Sequence, residues 1–294
     1  MRKIITVSLV LGLATALMAK PNVPIGDMKA KLSEMAGEKS IFARHEVFPK
    51  DYFLIPKNLP FLAGLTLHHP MSSTLELTKE QIEKIQVIKD DTTPVVIKDA
   101  LEIKALELKL HELIDKEVKD EELNAAIDKI GALKIALTKK HLVCIKSIRD
   151  ILTPPQRKKL EAYAGKKMKK KGNNHPVEEL LPLPHPVKII MQNEEELKIT
   201  KEQNEKIEKQ MLAVFPAKIH GAMDKAKVIE DKIYDAVLKN GKTKEDLKAD
   251  IKALSDIKVE ITNNHIDGLN VLATILSKEQ FVKVLELSKK SHKH

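Results

Sequence analysis

Apolar residues in this chain fall into long stripes that step by three and four positions. Val96, Ala100, Ile103, Leu106, Leu110 and Leu113 form one stripe. After a break at about 116–120, Ile127, Ile130, Leu133, Leu137, His141, Cys144, Ile148 and Ile151 form a second. A third, Ile251, Leu254, Ile257, Ile261, His265, Leu269, Leu272 and Ile275, repeats the second, and the break before it carries Asn240-Gly241, a helix C-terminal signal. Such steps put side chains on one face of an α-helix. The pattern predicts long amphipathic helices, each needing a neighbour to cover its apolar face.

Helix starts are marked as clearly as helix faces. Leu77-Thr78-Lys79-Glu80-Gln81, Leu152-Thr153-Pro154-Pro155-Gln156, Ile199-Thr200-Lys201-Glu202-Gln203 and Leu276-Ser277-Lys278-Glu279-Gln280 each place a hydroxyl three residues before a glutamine. That spacing is a capping box: the hydroxyl accepts from the N3 amide, and the glutamine returns to the N-cap amide. Pro154 fits the first helical position, where an amide hydrogen would find no partner. Leu77 with Ile82 and Leu276 with Phe281 add hydrophobic staples; Arg157 and Asn204 stand at that place in the other two copies.

The four strings form two register-matched pairs. Thr78 lies 75 residues before Thr153 and Thr200 lies 77 before Ser277; the pairs are offset by 122 at the first string and 124 at the second. Pro94 and Pro216 keep the 122 offset, as do Leu59-Pro60 and Leu181-Pro182. The chain thus reads as all-α, with two tandem units of antiparallel amphipathic hairpins at 59–165 and 181–294, joined by a basic linker at 166–180. Each unit is expected to hold a short helix after its first box, two long paired helices, and a short helix after its second box. The two units together could form an intrachain pseudo-dimer.

The ends carry different information. Arg2 and Lys3 precede an apolar run from Ile4 to Leu17 that closes at Met18-Ala19, the layout of an export signal with cleavage near Ala19. No later stretch is long enough to span a bilayer, so the expected mature chain is an exported protein without a membrane span. An arm at 20–58, with Phe42, Phe48, Phe53, Tyr52, Pro49 and Pro56, has no counterpart in the second unit. It either packs across the scaffold or covers a client groove. Lys166-Lys167-Met168-Lys169-Lys170-Lys171 with Gly172, Asn173 and Asn174 reads as a solvated connector or as an anionic docking site.

Charge and composition narrow the chemistry. The formal charge is +9, or +7 without Arg2 and Lys3, and suits acidic protein segments as partners. Aromatics at 3% with no Trp leave little stacking surface for nucleic acid. No nucleophile elbow, phosphate loop or HExxH spacing occurs, and the Glu–Lys interleaving suits surface ion pairs, so no enzyme activity is expected. Cys144 is the single cysteine, on an apolar stripe, where a thiol behaves as a small apolar group or, less simply, as a redox site.

Paired Leu-Thr-x-x-Gln strings in an exported, Lys-rich, helical chain resemble the Spy/CpxP family of periplasmic stress proteins, over about 59–165 and 181–290. Thr78, Gln81, Thr153, Gln156, Thr200 and Gln203 match the family motif; Ser277 with Gln280 replaces Thr by Ser. The resemblance implies cradle-shaped helical hairpins and ATP-independent chaperoning of unfolded or misfolded periplasmic proteins, or docking on the periplasmic domain of a sensor kinase. It implies a homodimer, which here would become one chain folded as a pseudo-dimer. No cofactor is required on this reading. The alternative is a metal-binding or metal-sensing protein for zinc, nickel, cobalt or copper, since some relatives bind or sense such ions. Its candidate ligands are His141 and His265, matched at the 124 offset, and the terminal pair His292 and His294. A histidine on an apolar stripe can equally be a structural group or a pH-responsive contact.

Overall fold

A computed structural model of the chain describes residues 49–56, 59–68, 71–115, 120–170, 177, 179–181, 183 and 186–291. The expected export signal, most of the N-terminal arm, residues 171–176 of the expected connector and the His292–His294 tail lie outside the described residues. Every regular element described is helical, and no described helix is long and apolar enough to cross a membrane.

A single 3-10 turn, Lys50–Tyr52, opens the described chain. In the first unit, short α1 (Leu62–Leu67) and α2 (Met71–Leu75) lead into α3 (Lys79–Asp115), α4 (Asp120–Ile151) and α5 (Pro154–Lys170). In the second, short α6 (Pro186–Gln192) and α7 (Glu194–Leu197) lead into α8 (Lys201–Ile207), a π turn at Glu208–Leu212, α9 (Phe215–Leu238), α10 (Lys248–Ile275) and α11 (Lys278–Ser291). α3 packs along α4 and α9 along α10, and α4 crosses α10.

The apolar stripes face inward. Ala100, Ile103, Ile127, Ile130, Leu137, Ile148, Ile251, Leu254, Ile261 and Leu272 are all fully buried. One large core joins the first unit to the adjoining ends of α9 and α10 through Ala226, Ile233, Val237 and Leu254. A second core lies among α6, α8, α11 and the C-terminal end of α10, around Ile190, Ile207, Met211, Leu272 and Val284. The gap between them is bridged by Ile219, Ala222 and Ile261. Burying a leucine or isoleucine is worth about 2 kcal/mol, so each core comfortably outweighs any single cap.

Three features depart from the sequence expectation. The short and long helices after the first box are fused: α3 runs 37 residues straight through Pro94. At the matching place after Thr200 the helices are separate, and Pro216 sits at the start of α9, where its missing N–H is harmless. What lies opposite explains the difference. Met211 and Phe215 pack over Gly268, and an added Cβ there would meet Met211 Cε and the Phe215 ring at 3.5 and 3.8 Å, ordinary contact distances. In the first unit Cys144 fills the matching place, and Lys89 and Thr93 replace Met211 and Phe215. Nothing apolar there needs the break. Second, α5 continues to Lys170, so Lys166 to Lys170 are helical rather than part of a connector. Lysine is a good helix former, and the run follows two turns already anchored by Leu160 and Ala164. Third, the end of the expected linker is core, with Val177 and Leu180 buried.

Candidate functional site

The four strings do more than start helices: three close a full capping box, and Thr153 with Gln156 closes half of one. Gln81 N–H donates to Thr78 Oγ1 at 3.2 Å, and Thr78 N–H donates to Gln81 Oε1 at 3.0 Å. Thr200 and Gln203 repeat this at 3.0 and 3.2 Å, and Ser277 and Gln280 at 2.9 and 3.2 Å. Thr153 N–H donates to Gln156 Oε1 at 2.9 Å. The other end of each glutamine amide was not legible from one motif alone. Gln81 Nε2 donates to Gln156 Oε1 at 2.8 Å, and Gln156 Nε2 donates back to Gln81 Oε1 at 3.1 Å. Gln203 and Gln280 form the same reciprocal pair at 2.8 and 3.2 Å.

Each amide also holds a chain end. Gln81 and Gln203 donate to Ile151 O and Ile275 O, the last residues of α4 and α10, at 3.0 and 3.1 Å. Gln156 and Gln280 donate to Leu75 O and Leu197 O, the last residues of α2 and α7, at 3.1 and 3.0 Å. The next residues, Glu76 and Lys198, are the two non-glycine residues at positive φ among the described residues, 51° and 52°. A left-handed residue after a helix turns the chain so that its last carbonyls meet new donors. Two glutamines therefore tie four helix ends together, at matching places in both halves. The staple differs between copies: Leu276 and Phe281 are buried, whereas Ile82 is 44% exposed.

Two buried ion pairs occupy the crossing of α4 and α10. Lys134 Nζ lies 2.9 Å from Glu107, and Lys258 Nζ lies 2.7 Å from Glu230. Charges this deep need several partners, because desolvation costs each ion several kcal/mol. Backbone carbonyls supply them: Lys134 donates to Leu180 O at 2.5 Å, and Lys258 donates to Leu54 O at 2.6 Å. The partners are exchanged, since a first-unit lysine holds the entry to the second unit and a second-unit lysine holds the entry to the first. Leu54 is held from the other side too, its N–H donating to Thr138 Oγ1 at 2.9 Å. Residues 52–55 of the arm are thus built into the core, with Tyr52, Phe53, Leu54 and Ile55 all buried.

The histidines of the stripes go to separate places. His141 lies between Phe53 and Phe61, ring centroids 4.8 and 4.7 Å away, with Nε2 3.3 Å from Pro60 O. Burial pushes its pKa down to about 4, so it is a neutral structural ring at ordinary pH. His265 Nδ1 faces Glu179 Oε2 at 3.0 Å. Cys144 is half-buried, and burial pushes its thiol up to about 11, far from a reactive thiolate. Among the described residues no three His, Cys, Asp or Glu side chains converge on a metal-sized site. His292 and His294 lie outside the described residues.

What remains open is the surface. Ile82, Val87, Val95, Leu108 and Val143 are exposed on α3 and α4, and Met191, Leu212, Val214, Val228 and Val282 on the second half. Val87, Ile88 and Ile151 line a shallow open groove of about 530 Å³ rimmed by Glu83, Lys84 and Asp150. The rim carboxylates Glu83 and Asp150 already face Lys79 and Lys146. The chain matches no family model, no curated protein and no solved structure.

Proposed function

We propose that the chain is an exported, ATP-independent chaperone or envelope-stress adaptor. In this reading it is a tandem pair of Spy/CpxP-like units, folded together as an intrachain pseudo-dimer. The observation that carries the functional reading is the pattern of exposed apolar side chains, Val87 at 59% and Val228 at 68% among them, set singly on Lys/Glu-rich helices. A surface of this kind meets partly unfolded chains by charge first and by small apolar contacts second. Its modest apolar area lets clients leave without a nucleotide cycle. The pseudo-dimer reading is supported by the recurrence of the glutamine pairs, the left-handed turns at Glu76 and Lys198, and the exchanged contacts of Lys134 and Lys258.

The test is light scattering of a chemically denatured client diluted into buffer with the mature chain and no nucleotide. Suppression near stoichiometric ratio, weakened by added salt, is expected. No suppression at several-fold excess overturns the chaperone reading; capture of one sensor-kinase periplasmic domain, without suppression, selects the adaptor.

A further inference from the structure

Where the two halves meet at the C-terminal end of α4, five cations surround one open cleft of about 640 Å³. Lys146 and Arg149 come from α4, Arg157 and Lys158 from the first turns of α5, and Lys239 from the turn after α9. Arg149 builds the cleft. Its side chain is 9% exposed, and Nη1 donates to Glu161 Oε1 at 2.9 Å and to Leu238 O. It thereby closes the C-terminal end of α9 and brings Lys239 to the same wall. Arg157 Nη1 donates to Arg149 O at 3.2 Å, which fixes the second guanidinium beside the first.

The charges do not cancel. Asp150 and Glu161 are the two carboxylates on the walls, engaged by Lys146 at 2.6 Å and by Arg149, and Lys239 pairs with Asp235 at 2.7 Å, which leaves Arg157 and Lys158 as the excess charge. Lys158 makes no ion pair among the described residues. Nor is the cluster a by-product of a Lys-rich chain or of the repeat. At the 124 offset Lys146, Arg149, Arg157 and Lys158 become Asn270, Ala273, Phe281 and Val282. The second unit therefore carries none of these four cations, and Phe281 there is buried.

The wall chemistry selects a class of ligand. Pro154 is the lone apolar side chain lining the cleft, so a peptide would find no anchor for its own side chains. Two guanidiniums and three ammoniums within a cavity of small-molecule size match a compact anion with several oxygens. We propose that this cleft binds a phosphate-bearing polyanion, one with at least two phosphate groups, either free or displayed by a lipid headgroup. The cleft adjoins the apolar groove at Asp150, but the proposal uses none of the apolar side chains on which the client-binding reading rests.

Titration calorimetry of the full mature chain with tripolyphosphate, at physiological salt, tests the free form. Co-sedimentation with vesicles carrying a diphosphorylated lipid, against neutral vesicles, tests the lipid form. Saturable binding in either arm is expected, with affinity reduced about tenfold or more in Lys158→Gln/Lys239→Gln. The control Lys201→Glu/Lys209→Glu, exposed on the second unit, is expected to bind as the parent does. Arg157→Gln, checked by circular dichroism for unchanged helicity, gives a second reading of the same site. Absence of saturable binding in both arms, or equal loss in the control, overturns the proposal.

Discussion

Removing one glutamine of a reciprocal pair should destabilise the chain far more than removing an ordinary helix cap. Gln156 is 9% exposed and its amide makes four hydrogen bonds. It accepts from Thr153 N–H and Gln81 Nε2, and donates to Leu75 O and Gln81 Oε1. Losing the bond to the Thr153 amide alone is worth about 1 kcal/mol, the usual value of a cap. Leaving the buried Leu75 carbonyl without its donor, and the Gln81 amide with only its bonds to Ile151 O and Thr78 N–H, adds roughly 1–3 kcal/mol, so Gln156→Ala should cost about 3 kcal/mol in all. Two of the four bonds are shared with Gln81. The double variant Gln81→Ala/Gln156→Ala should therefore fall short of the sum of the singles by about 1–2 kcal/mol. Because the second half keeps a core of its own, the readout should be local as well as global. Urea unfolding gives the total, and hydrogen exchange at residues 75–81 and 151–156 shows where it falls. Additive single effects, or a loss below about 0.5 kcal/mol for Gln156→Ala, would refute the clasp.

Three further outcomes are expected. Lys258→Met removes the ammonium that neutralises buried Glu230 and frees Leu54 O, so it should destabilise by about 3–5 kcal/mol, while adding Glu230→Leu recovers most of that in a chemical melt. His141 titrates at about 4 when folded against 6.5 otherwise, so the folded chain binds fewer protons in that interval. Its contribution is complete above pH 6.5 and is lost as pH falls toward 4, about 3 kcal/mol in total; the gap between parent and His141→Phe across a pH series measures it. Gly268→Ala should raise the melting temperature, because a Cβ there meets neighbours only at ordinary contact distance and alanine favours helix by about 1 kcal/mol. Gly241→Ala should lower it, since φ is +62° at that turn.

The legible part of this fold was the part written in local spacing. Stripes at three and four residues placed α3, α4 and α10, and the hydroxyl–glutamine spacing placed their neighbours' first turns. The glutamine pairs were not local, for Gln81 meets Gln156 only after a hairpin returns. One signal did point to them: Ser replaces Thr in the last string, yet Gln is kept in all four. The buried lysines were hidden for a similar reason. Lys134 and Lys258 match at the 124 offset, but a lysine within a Lys-rich helix reads as solvated, and its acceptor is a backbone carbonyl with no sequence mark. The fusion within α3 escaped prediction because a short helix was expected after each first box, whereas the packing of Met211 and Phe215 on Gly268 exists only after the box at Thr200. The candidate site was less legible than the fold, because exposed valines on amphipathic helices carry no pattern of their own.

Client capture by those valines is the claim on which the functional account turns. Parent chain and the triple variant Val87→Ser, Val95→Ser and Val143→Ser should be compared for suppression of aggregation of one denatured client, at matched concentration and without nucleotide. Strong suppression by the parent and several-fold weaker suppression by the variant are expected, with helicity and melting temperature unchanged. Equal suppression by both, or none by the parent, would contradict that claim.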